Sequence, residues 1–168
     1  EGLLLGGDPA TACQTVRGAI TEYHGASYWR KAMVFCQILS GERDQAMLGV
    51  SLMREQGISD DPTFFSLVDI YAGEKVTELA VSSPLHLAML GAVDRPVPPD
   101  LIDMASPGLL VALARWPGAD LDQRVQAAEL AVSLGVLEPD TLARLYAQVS
   151  FTAEQRDDAI AAAAKLDG

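Results

Sequence analysis

Lysine is scarce in this chain: Lys31, Lys75 and Lys165 are three of only 12 basic residues, set against 23 acidic ones. With a formal charge of −11 and a pI near 4.4, there is no cluster of Lys and Arg to track a phosphate backbone, so nucleic acid is not an expected partner. The same deficit argues against adsorption to anionic lipid. No run approaches the roughly 20 apolar residues needed to cross a bilayer, and no membrane insertion of this segment is expected. These residues hold no basic-then-apolar leader, which leaves room for one removed from a longer chain. Histidine is limited to His24 and His86, and cysteine to Cys13 and Cys36. Their spacing lacks the closeness of a zinc site. Nothing alternates with the period of two that marks a strand.

Catalytic signatures are absent in the same way. Ser82 and Ser83 lie near His86 but no G-x-S-x-G elbow accompanies them. His86 therefore reads as a surface or satisfied core histidine. Gly6-Gly7 follows no strand, and no Gly-Lys-Ser/Thr occurs, so no phosphate-binding loop is expected. Asp60-Asp61 and Asp157-Asp158 are adjacent pairs; neighbouring residues on a helix diverge, so neither is a chelating clamp. Asp61 is better placed to cap a helix beginning at Pro62. No catalytic, cofactor-binding or metal-ligating residue is assigned, and the chain is expected to be non-enzymatic, with no cofactor.

What the sequence does contain is helix punctuation. A capping residue followed by Pro at the first helical position recurs at Asp8-Pro9, Asp61-Pro62, Ser83-Pro84 and Ser106-Pro107, and in weaker form at Glu138-Pro139. Capping boxes are written at Asp120 with Gln123 and at Thr152 with Gln155. Gly41, Gly57, Gly73 and Gly135 each close an apolar periodic run. The helices predicted from these signals are 9–22, 27–40, 43–56, 62–72, a short one near 74–81, then 84–93, 99–105, 107–116, 121–134, 139–149 and 153–166. The fold class is all-α: an array of about ten antiparallel helices over residues 1–168, solenoid-like or a compact bundle, and expected to be one domain of a longer chain. It resembles helical-repeat solenoids in architecture; Trp29, Gly41 and Ala46 lack the remaining positions of a tetratricopeptide repeat.

The two cysteines are the most specific feature. If helices 9–22 and 27–40 fold back about Gly25, each residue meets the one whose number completes a sum of 49, which pairs Cys13 with Cys36. Val16 then meets Met33, and Ile20 meets Trp29, so both apolar stripes share one register. A Cys13–Cys36 disulfide is expected. It would close a loop worth roughly 3 kcal/mol in the chain-entropy model. Such a bridge implies a periplasmic or otherwise extracytoplasmic compartment; two buried free thiols would leave the cytoplasm open.

Nine arginines to three lysines, with abundant Ala, fit a GC-rich bacterial genome. The expected function is a protein-interaction or assembly module of a bacterial envelope protein. The alternative from another class is an accessory superhelix of a cell-wall-acting enzyme whose catalytic domain lies outside this segment. Seven of the ten aromatics fall in the first 71 residues, as a well-packed amino-terminal core requires. The expected partner site is instead acidic: Asp122, Glu129, Asp140 and Glu154 recur at the polar edges of successive helices, where they would attract a basic or amphipathic segment of a partner protein. The partner's identity and the oligomeric state do not follow from these residues.

Overall fold

The computed structural model describes residues 9–22 and 26–166, with side chains over 11–22 and 26–151 and at Glu154. The expected cap at Asp8, the Gly6-Gly7 pair and the loop holding His24 and Gly25 lie outside the described residues, as do the side chains of Gln155, Asp157 and Asp158. Among the described residues are nine helices and no strand: α1 Pro9–Glu22, α2 Ser27–Leu39, α3 Arg43–Glu55, α4 Pro62–Ala72, α5 Pro84–Ala92, α6 Leu101–Met104, α7 Pro107–Arg115, α8 Leu121–Ser133 and α9 Pro139–Leu166. The protein is an all-α array.

Local chemistry explains three of the starts. Asp61 accepts a hydrogen bond from Phe64 N–H, Ser83 from His86 N–H and Ser106 from Leu109 N–H, each with Pro opening the helix. These bonds satisfy amide groups that have no partner within the helix. Asp120, by contrast, makes no side-chain cap bond. At the other ends, Gly41, Gly57, Gly73 and Gly135 all take positive φ, up to 101° at Gly73. An L side chain would be strained in that conformation.

Two predicted helices are corrected. Residues 74–82 form no helix. Val76 and Thr77 are β-branched, the stretch has no cap of its own, and Thr63 Oγ1 donates to the Ala80 carbonyl at 3.1 Å. With Val81 buried, the segment is pinned as an irregular strap. The separate helix from Ala153 also does not exist, because α9 runs unbroken from Pro139 to Leu166. Thr152 sits within it. Neither Gly nor Pro lies between Val149 and Ala153 to interrupt the backbone ladder. The expected 99–105 helix shrinks to the single turn of α6, since Ala105 and Ser106 are extended ahead of Pro107.

α5 is the centre of the packing. Leu85 to Leu90 are all buried, so the helix is enclosed on every side rather than along one stripe. It touches α4, its neighbour in sequence, and also α2 and α7. Around it runs a continuous core from Val34 and Phe35 through Met53, Phe64 and Leu87 to Leu113 and Leu145. α8 approaches through Ala127, Ala128 and Ala131, each fully buried, and packs on α7 and α9. A second, smaller cluster of Cys13, Val16, Ala32 and Cys36 fastens α1 to α2.

Candidate functional site

Where α2, α4 and α5 meet, three ionisable side chains are folded inward. Lys31 lies on the inner face of α2, Asp61 at the N-cap of α4, and His86 in the first turn of α5. Lys31 Nζ pairs with Asp61 Oδ2 at 3.1 Å and with the more exposed Asp60 Oδ2 at 3.4 Å. Asp60 is in turn held by the Ser27 hydroxyl, which donates to it at 2.9 Å. His86 Nε2 lies 2.9 Å from Asp61 Oδ1, and Ser82 N–H donates to His86 Nδ1 at 3.1 Å. The Ser82 bond requires an unprotonated Nδ1, so the neutral imidazole carries its proton on Nε2 and donates it to Asp61.

The charges follow from this geometry. Burial pushes the His86 pKa down, and Lys31 adds to that; the pull of Asp61 in the other direction does not restore it. For Asp61, burial on its own raises the pKa, but the Phe64 N–H bond, Lys31 and His86 together bring it below the ordinary carboxylate value. At neutral pH the cluster is therefore a buried Lys⁺–Asp⁻ pair with a neutral histidine alongside. Both ring nitrogens of His86 are occupied, one by a carboxylate and the other by a backbone amide. No serine hydroxyl is bonded to the ring, so Ser82, Ser83, His86 and Asp61 do not form a nucleophile–base relay. His86 is a satisfied core histidine and Asp61 a cap, as expected from the sequence. The burial of Lys31 was not anticipated: nothing in α2 alone indicates that the α4 cap will stand opposite it.

The structure brings Cys13 and Cys36 to disulfide distance, with Cα atoms 5.5 Å apart. Both sit in the small cluster that joins α1 to α2, and Met33 and Trp29 pack against it. The antiparallel register expected for this hairpin is the one observed.

Asp122, Glu129, Asp140 and Glu154 are all exposed. Asp122 and Asp140 occupy the first turns of α8 and α9, where the helix dipole favours a negative charge. Because α9 is continuous, the four residues lie on two helices rather than three. Glu129 differs from the others in accepting a hydrogen bond from the Tyr146 hydroxyl across α8 and α9, and that bond raises the tyrosine's pKa. Leu130 and Leu134, which flank the apolar stripe of α8 in the sequence, are exposed beside these acids. Of nine large hydrophobic residues exposed among the described residues, five are Leu130, Leu134, Val136, Tyr146 and Phe151.

Among the described residues, no group of three or more His, Cys, Asp or Glu is placed to hold a metal ion. No helix there is long and apolar enough to cross a membrane. Comparison with protein-family models, with characterised proteins and with solved structures finds no match to this chain.

Proposed function

We propose that the chain is a non-enzymatic interaction module of a bacterial envelope protein and docks a basic, amphipathic partner segment on α8 and α9. The observation that carries this reading is the apolar exposure concentrated there: Leu134 is 53 % and Phe151 61 % exposed. Leu130 in the last turn of α8 and Leu134 at its C-cap lie one turn apart, and the Glu129–Tyr146 bond holds α9 alongside. Exposed apolar groups rimmed by acids suit a helix that carries one apolar stripe and flanking Lys or Arg. The charge of −11 would speed encounter with such a segment, and salt would slow it. The Cys13–Cys36 pair supports an extracytoplasmic location, where such pairs stay oxidised.

The test is site-specific photo-crosslinking of the full-length protein in its own cell. Probes replace Leu134 and Phe151 and, as controls, Leu48 and Leu52 on α3, which are comparably exposed. The expected result is a discrete adduct from the α8 and α9 positions alone, lost when Glu129 and Glu154 are both reversed to Lys. Adducts from α3 in place of α8 and α9, or adducts indifferent to the reversal, would reject the placement.

A further inference from the structure

In so acidic a chain, basic side chains should find carboxylates, and in the amino-terminal half three of the six do. Arg17 pairs with Glu42, Lys31 with Asp60 and Asp61, and Arg54 with Asp69. Three arginines in the carboxyl-terminal half behave differently. Arg115 ends α7, Arg124 lies on α8 and Arg144 on α9, and all three line one cleft of about 310 Å³ together with Ala114, Thr141, Leu145 and Gln148. No carboxylate is among the lining residues, and among the described residues none pairs with any of the three. The cleft therefore holds three positive charges in a chain whose net charge is −11.

Two of these guanidinium groups are held in place from behind. Arg124 Nε donates to the Ala114 carbonyl at 3.3 Å, and Arg144 Nε donates to the Asp140 carbonyl at 3.2 Å. Arg144 Nη2 also reaches Thr141 Oγ1 at 3.5 Å. Anchoring through Nε leaves the terminal N–H groups of the fork, which match the oxygens of an oxyanion. Arg124 is half-buried with no counter-charge, a costly arrangement that a bound anion would relieve. Asp120 and Asp140 stand one turn before Arg124 and Arg144 but form no ion pair with them among the described residues, and charges beyond about 8 Å are largely screened at physiological ionic strength.

We propose that this cleft binds a phosphate group, as the free ion or as a phosphate monoester. Three guanidinium groups balance a dianion better than a single carboxylate. The volume, roughly that of ten water molecules, admits a phosphate with a small organic substituent. The site is built from three helices and is unrelated to the glycine-rich loops that the sequence lacks. It is also independent of the partner surface proposed above, so either can fail alone.

The experiment is calorimetric titration of the chain with inorganic phosphate at constant pH and ionic strength, with sodium chloride, succinate and glycerol 3-phosphate as parallel titrants. Saturable binding of phosphate, glycerol 3-phosphate or both, at one site per chain and without a matching chloride signal, is expected. A signal from glycerol 3-phosphate alone marks the monoester as the ligand; a signal from inorganic phosphate alone marks the free ion. The exposed pair Arg115→Gln and Arg144→Gln should each weaken binding by about tenfold or more without altering the melting temperature in ligand-free buffer. Arg95→Gln, outside the cleft, should leave binding unchanged. Equal responses to chloride and phosphate, succinate binding in place of both phosphates, or full affinity in the Arg115→Gln/Arg144→Gln double variant would overturn the assignment.

Discussion

Replacing Asp61 by Ala removes three bonds together: the cap on Phe64 N–H at 3.0 Å, the acceptor for His86 Nε2 at 2.9 Å and the near partner of Lys31 Nζ at 3.1 Å. The side chains of Lys31 and His86 are 9 % and 3 % exposed, so water does not readily replace what is lost. Removing one member of a buried ion pair costs about 3–5 kcal/mol, and losing a cap alone costs about 1. Lys31 keeps Asp60 at 3.4 Å, but that carboxylate is 56 % exposed, so the lower end of the range applies. The expected loss is about 3 kcal/mol. At a urea slope of about 2 kcal/mol per molar, the midpoint falls by about 1.5 M, read by far-UV circular dichroism near pH 8. Asp61→Asn keeps an oxygen for Phe64 and His86 but not the charge facing Lys31, and should fall between wild type and Ala. Asp60→Ala should cost under about 1 kcal/mol, as exposed pairs do. A shift below about 0.5 M for Asp61→Ala, or equal damage from Asp60→Ala, would refute the account.

The same cluster makes stability depend on pH. The folded pKa of His86 is depressed below the ordinary 6.5, so its contribution is complete above that value and is lost as the unfolded chain takes up a proton that the fold refuses. Asp61 is depressed below 3.8 and adds a second loss in stronger acid. The urea midpoint should be flat above neutrality and decline below about pH 6.5, with the first decline absent in His86→Asn. Reducing the Cys13–Cys36 pair should release α1 alone, since α1 rests on the small cluster rather than the main core; hydrogen exchange should quicken over residues 9–22 and stay slow in α5. A Cβ on Gly118 would stand 2.5 Å from Trp116 Cζ2, whereas one on Gly18 would meet nothing within 4 Å. Gly118→Ala should therefore destabilise by about 1–3 kcal/mol through overpacking, while Gly18→Ala in α1 should stabilise by about 0.5–1; thermal melts of both variants check the contrast.

What was legible in the sequence was local or governed by one simple register. The caps at Asp61, Ser83 and Ser106 involve residues three apart in the chain, and a short loop fixes how two helices face each other, which placed Cys13 against Cys36. The strap over 74–82 was misread because its apolar spacing fits a helix, while the Thr63 bond and the burial of Val81 that hold it extended come from elsewhere in the fold. α9 was split in two because a capping box at Thr152 is only an offer of bonds, and an uninterrupted helix has no free amide there to accept it. Lys31 and the three arginines were invisible for a different reason. Their environment is set by which helices meet, and neither cap chemistry nor apolar periodicity encodes the meeting of α2 with α5 or of α8 with α7 and α9.

The two halves of the chain are held by different means, and this bears on where function lies. In the first half, a cysteine pair and a buried Lys–Asp–His cluster occupy the reactive and charged groups at the core, and Arg17 and Arg54 pair with carboxylates at the surface. In the second half, α7 and α8 associate mainly through leucines and fully buried alanines, with the bond from Arg124 to the Ala114 carbonyl beside them. The polar and large apolar groups there are consequently left over: three arginines without carboxylates, and Leu134 and Phe151 without cover. Leaving apolar surface wet forgoes about 25 cal/mol per Å² of potential burial, and leaving a half-buried guanidinium unpaired costs more. Arg124 Nε does fasten α8 to the last turn of α7 through the Ala114 carbonyl, whereas Leu134 and Phe151 stay largely exposed. Both proposals accordingly draw on this half of the chain, the partner surface on α8 and α9 and the anion cleft on α7, α8 and α9.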